Sequence, residues 1–210
     1  MSSMAKESPG QTDAWWWRNL PNLLTLSRIF LAAVLFALLS FPGRATYLTG
    51  LVIFILAAIT DFLDGYLARR FHLVTQLGRV LDPFADKLVI CGTFVFLAAS
   101  HRMLETPWGL HPWIVVVILA RELLITGLRS FLEERRIDFS ARWSGKIKMA
   151  LQCLLAIVAF AYLAFDQDPP GSPAWCWMSL VVLTYAALLI TLYSGYQYVR
   201  IAAAHLEEIW

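Results

Sequence analysis

Between Thr60 and Leu88 the chain reads TDFLDGYLARRFHLVTQLGRVLDPFADKL, with four aspartates: Asp61, Asp64, Asp82 and Asp86. Asp61 and Asp64 are three residues apart, and Asp82 and Asp86 are four apart. On a helix both spacings share a face. If the two helices form a hairpin, all four carboxylates can converge. Clustered carboxylates repel one another and lose hydration, so they protonate, pair with a cation such as Arg69, or bind metal. Two divalent ions match the charge of four carboxylates. With oxygen donors only, Mg²⁺ or Mn²⁺ is expected and Zn²⁺ is not. Two such ions ~3.5–4 Å apart suit phosphoryl-type displacement, and a remaining carboxylate can act as general base. Gly65 and Ala68 fall on the Asp61/Asp64 side, and Gly78 lies one turn before Asp82. Small residues there allow close helix approach or leave room for a ligand. Pro83 is tolerable close to a first turn, as it would be if the helix starts near Gly78. A purely structural set of ion pairs would need more cations than the segment supplies.

The elements that must position these groups read as membrane helices. Of 210 residues, 59% are hydrophobic and 15% charged, with mean hydropathy +0.63. A soluble domain carries about 25% charged residues. The apolar excess lies in long runs, which predicts an all-α integral membrane protein of one domain. Net charge of +2 gives no reason to expect nucleic acid. Six spans are expected, near residues 23–41, 47–69, 78–100, 112–132, 146–165 and 174–203. Residues 1–13 read as a disordered polar tail and 14–22, with three tryptophans in a row, as a short interfacial helix. The membrane domain then occupies 23–205. Lys6, Arg18, Arg69, Arg70, Arg79, Arg135, Arg136 and Arg142 all fall on one side of this arrangement, against Arg44 and Arg102 on the other. The excess of Lys and Arg marks the cytoplasmic face, so both termini and the aspartates are expected there. Cys91, Cys153 and Cys176 are far apart in apolar surroundings and read as packing residues, not as a disulfide or a metal site.

The segment resembles a known signature. Asp61-x-x-Asp64-Gly65-x-x-Ala68-Arg69, eight residues, then Gly78-x-x-x-Asp82-x-x-x-Asp86 is similar to that of the CDP-alcohol phosphotransferases, with all eight signature residues present. The resemblance implies two Mg²⁺ or Mn²⁺ ions held by Asp61, Asp64 and Asp82, with Asp86 also at the metals and acting as base. It implies a cytidine diphosphate pocket of Gly65, Ala68, Arg69 and Gly78. It also implies a six-helix membrane domain that forms homodimers, in a bacterial inner membrane with its site facing the cytoplasm. Three further stretches extend the likeness: NLPNLLTLSRI (19–29), which adds Asn22, Thr25 and Arg28 to the nucleotide site, ARELLITGLR (120–129) and WSGKIKMALQ (143–152). They resemble the branch of the family that uses CDP-diacylglycerol as donor and glycerol 3-phosphate as acceptor.

Physical chemistry gives these stretches the same direction. Arg28 is a charge inside an apolar helix, one turn from Thr25, and needs an anionic partner; a diphosphate is a good candidate. Arg121 and Glu122 lie well inside the fourth span, where an interhelix ion pair is the competing reading and, for Glu122, the preferred one. Arg129 is two turns on from Arg121. Lys146 and Lys148 open the fifth span, near the positive end of its dipole, and flanking the membrane is their competing role. Together Arg121, Lys146, Lys148 and Arg129 form a candidate cage for the phosphate of an acceptor alcohol. The expected reaction is direct displacement: Asp86 takes the proton of the 1-hydroxyl of glycerol 3-phosphate, the alkoxide attacks the lipid-side phosphorus, and CMP leaves. Inositol phosphate, serine or phosphatidylglycerol as acceptor are the nearest rivals. A cation transporter is the rival from another class, but it often shows internal repeats and broken midplane helices, and neither is evident.

Overall fold

Leucine, alanine, isoleucine, valine and phenylalanine dominate the runs between the polar segments. In lipid such runs satisfy their backbone groups internally, as helices. The computed structural model describes residues 11–71, 76–134, 143–165 and 174–207; it describes the side chains of residues 23, 25–61, 84, 85, 87–129, 145–165 and 174–203. All elements among them are helical: α1 (Gln11–Leu39), α2 (Arg44–Phe71), α3 (Gln76–Ala98), α4 (His101–Glu105), α5 (Pro112–Glu134), α6 (Trp143–Phe165) and α7 (Ala174–Glu207). Even the 23-residue helices rise about 35 Å, enough for a hydrocarbon core of about 30 Å.

Among the described residues, three helices are long and apolar enough to cross a membrane, over Arg44–Asp61, Gly145–Phe165 and Ala174–Ala203. Thr25–Leu39 and Lys87–Ala98 form shorter apolar stretches. Large apolar side chains point outward all along the bundle, among them Phe30, Val52, Val116, Leu123, Val182 and Leu189. This all-round apolar surface fits a membrane protein.

The helices fall close to the expected spans, with two differences. Helix α1 runs unbroken from Gln11 to Leu39, so no boundary separates the expected interfacial helix from the first span. The short α4 was not expected. Ser100 caps it by accepting a hydrogen bond from the Met103 N–H at 3.3 Å, and Met103 is buried beneath it.

Among the described residues helix α1 packs along both α2 and α3, and α2 and α3 meet in fewer places. Helix α6 packs on α7 and α2, and α5 on α7 and α3. The centre holds Leu35, Phe54, Phe94, Ile114, Leu155 and Phe160, all essentially inaccessible. Close approach is bought with glycine at two places. A Cβ on Gly50 would lie 2.9 Å from the Phe160 ring, and one on Gly92 would lie inside the Phe36 ring's contact envelope. Phe36 in turn stacks on Phe96, with centroids 5.3 Å apart.

Candidate active site

Each helix carries a buried stripe at three- and four-residue spacing, and near one end of the bundle the stripe turns polar. On α1 it runs Leu39, Leu35, Ala32, Arg28, Thr25; on α2 it runs Tyr47, Phe54, Ala57 and reaches the half-buried Asp61. The register that makes Leu35 and Phe54 core residues also turns Arg28 and Asp61 inward. Arg28 is 2% exposed, and its Nη1 donates to Asp61 Oδ1. A carboxylate of the signature itself thus supplies an anionic partner for this buried arginine.

The other helices behave alike. On α5 the stripe Ile114, Ile118, Glu122, Ile125 contains one acid, and on α6 Lys148 and Gln152 precede Leu155 and Ala159. Glu122 Oε1 accepts from Lys148 Nζ and, at 3.3 Å, from Arg121 Nη1. The interhelix ion pair preferred for Glu122 is therefore present. Arg121 also donates through Nη2 to Ser194 Oγ on α7 and lies 5.7 Å from the Tyr198 ring centroid. Gly195 makes room for it, since a Cβ there would stand 3.1 Å from Arg121 Cγ.

These groups meet at a cavity of about 140 Å³, whose polar lining is Arg28, Asp61, Lys87, Glu122, Lys148 and Gln152. Phe54, Ala57, Val89, Ile90 and Met149 supply apolar wall. Among the described residues its ionisable lining holds three cations, Arg28, Lys87 and Lys148, and two carboxylates, Asp61 and Glu122. Of the expected acceptor-site residues, Lys148 is buried on this wall, while Lys146 is exposed and off the stripe. Arg121 lies behind Glu122, outside the lining. Arg129 is half-buried, with its Nε buried and, among the described residues, without a hydrogen-bond partner. Thr25 is fully buried one turn from Arg28. The side chains of Asn22, Asp64, Ala68, Arg69, Asp82 and Asp86, and the surroundings of Gly65 and Gly78, lie outside what is described, although their backbones belong to α1, α2 and α3.

The metal expectation meets this geometry in part. Asp61 offers a carboxylate at the cavity wall, 30% exposed, and an oxygen donor fits a hard divalent ion. Among the described residues no three acids, histidines or cysteines come together as a metal-binding group. Sequence reasoning missed Lys87, Gln152 and Ser194. Gln152 had a readable signal: it is a polar residue one turn after Lys148 in an otherwise apolar run.

Comparison with known proteins agrees with the signature. The family profile for CDP-alcohol phosphatidyltransferase matches residues 18–193. A protein of Pseudomonas fluorescens named CDP-diacylglycerol–glycerol-3-phosphate 3-phosphatidyltransferase is 36% identical over 197 residues, 90% of this chain and 92% of the relative. Proteins of the same name from Rickettsia typhi and Bacillus subtilis are each 34% identical, over 87% and 86% of this chain and 96% and 93% of their own lengths. With matches of this extent, the chain belongs to the CDP-alcohol phosphatidyltransferase family of enzymes.

Proposed function

We propose that the protein transfers a phosphatidyl group from CDP-diacylglycerol to glycerol 3-phosphate, giving phosphatidylglycerophosphate and CMP. The observation that carries this is the shared cavity. Its wall joins Asp61, the first aspartate of the nucleotide-phosphate signature, to Lys148, a buried lysine paired with Glu122. The names of the relatives support the same donor and acceptor.

In this reading Asp61, Asp64 and Asp82, with Asp86 beside them, would hold two divalent cations, Mg²⁺ or Mn²⁺. Such ions supply charge neutralisation for a diphosphate and its departing phosphate. Asp86 accepts the proton of the acceptor's 1-hydroxyl, which then attacks the lipid-side phosphorus as the bond to CMP breaks. Arg69, with Arg28, Thr25, Asn22, Gly65, Ala68 and Gly78, holds the cytidine diphosphate part. Lys148, with Arg121 and Arg129, draws the acceptor's phosphate to the far wall, so that its hydroxyl faces the donor. Six spans with both termini in the cytoplasm put this chamber at the cytoplasmic edge of a bacterial inner membrane. There the acyl chains stay in lipid and a second copy of the chain completes a homodimer.

The test is CMP release in detergent micelles containing CDP-diacylglycerol and Mg²⁺ or Mn²⁺. Glycerol 3-phosphate, inositol phosphate, serine and phosphatidylglycerol are supplied one at a time, with Asp82→Asn as control. CMP with glycerol 3-phosphate alone, lost in the variant, is the expected result. Turnover with a different acceptor would remove the assignment of Lys148, Arg121 and Arg129. No CMP with any acceptor would remove the enzymatic reading of the cavity.

A further inference from the structure

Gln152 is polar, lies within a strongly apolar helix, is 2% exposed, and lines the cavity. Its amide Nε2 has no hydrogen-bond partner among the described residues. A buried donor left unsatisfied is destabilising, and a leucine at this position of α6 would carry no such penalty. The orphan donor therefore has a use if a guest in the cavity supplies the acceptor atom.

The surroundings specify which atom. Gln152 stands one helical turn beyond Lys148 on the same stripe, and side chains at this spacing have Cβ atoms about 5–6 Å apart. Lys148 is a point charge suited to a phosphate. The amide of Gln152 is neutral and suits an uncharged oxygen. Arg28 and Asp61 form another part of the wall, the part that holds the first aspartate of the signature. A three-carbon acceptor with its phosphate at Lys148 and its reacting primary hydroxyl toward Asp61 has one polar atom left, the secondary hydroxyl on its middle carbon. We propose that Gln152 is a specificity-determining residue, donating its amide N–H to the secondary hydroxyl of the acceptor alcohol. The proposal rests on phosphatidyl transfer to glycerol 3-phosphate as the reaction.

The probe is 3-hydroxypropyl phosphate, which keeps the phosphate and the primary hydroxyl and lacks only the secondary one. Sites that hydrogen-bond a substrate hydroxyl reject the analogue lacking it, because their own buried group is left unpaired. The wild-type protein should use the analogue with kcat/KM lower by roughly 10- to 100-fold. Gln152→Met keeps the volume and removes the donor. It should lower kcat/KM for glycerol 3-phosphate by a similar factor and leave the analogue's within about twofold, so the preference collapses toward one. Turnover of the analogue is then its own control for folding. Gln152→Asn, which withdraws the amide by one methylene, should shift the preference in the same direction by less, and serves if the methionine variant is not monodisperse. Equal use of both acceptors by the wild type overturns the proposal without any variant. So does a monodisperse variant that keeps the wild-type preference or loses both substrates equally. Failure of the underlying reaction is separate and visible first, as wild-type protein that releases no CMP with glycerol 3-phosphate.

Discussion

Lys148 and Lys146 are two residues apart and chemically identical, yet the fold separates them. Lys148 is 8% exposed, paired with Glu122 and on the cavity wall, whereas Lys146 is exposed. Sequence alone cannot divide them, because both lie near the positive end of a helix. The stripe of α6 does, since Lys148 is in register with Gln152 and Leu155. Lys148→Met should raise the KM for glycerol 3-phosphate at least about tenfold, the scale of one lost charge-assisted contact. Lys146→Met should change it by less than about twofold. The KM for CDP-diacylglycerol should hold in both. Initial rates with each substrate varied in turn decide this, and equal effects of the two substitutions would refute the assignment. The same limit explains the partner of Arg28. Its need for an anion was legible from a charge inside an apolar run. That the anion is Asp61, thirty-three residues away, depends on how α1 and α2 pack, which no local periodicity reveals. The aspartates were legible because their spacing is itself helical.

At the scale of elements, hydropathy located the helices because a membrane helix must be both long and apolar. It could not locate α4, a five-residue turn held by Ser100 and by burial of Met103. Nor could it show that α1 runs beside both α2 and α3. That arrangement depends on Gly92, where the Phe36 ring of α1 covers the α3 backbone. Gly92→Ala should therefore destabilise the bundle by about 1–3 kcal/mol through overpacking, despite alanine's better helix propensity. Gly127, on α5, has open space where a side chain would go. Gly127→Ala should be neutral or stabilising by up to about 1 kcal/mol. Thermal unfolding in one detergent, followed by tryptophan fluorescence, compares the pair. A Gly92 variant as stable as the Gly127 variant would mean that Phe36 yields freely, and that α1 is not held against α3 by this contact.

For the whole molecule, the decisive element is α5. It carries Arg121, Glu122 and Arg129 and is not among the three described helices apolar enough to qualify as spans by composition. Yet Arg121 and Glu122 face the bundle: Glu122 is buried, Arg121 reaches Ser194, and the outward positions hold Val116, Leu123 and Leu124. A helix with this division can cross a bilayer, because neighbouring helices pair its charges and its lipid-facing surface is apolar. If α5 crosses, the loop before it and the start of α6 after it lie on opposite sides. Trp108 in that loop is 67% exposed, and Lys146 is exposed near the start of α6. In a background with Cys91, Cys153 and Cys176 replaced, Trp108→Cys and Lys146→Cys can each be challenged with an impermeant maleimide. Trp108→Cys should label in right-side-out membrane vesicles and Lys146→Cys only in inverted ones. Labelling of both from one side would leave α5 without a crossing. The proposed place of the cavity at the cytoplasmic edge would then be lost, and with it the proposed route by which one chamber admits a lipid donor laterally and a phosphorylated alcohol from water.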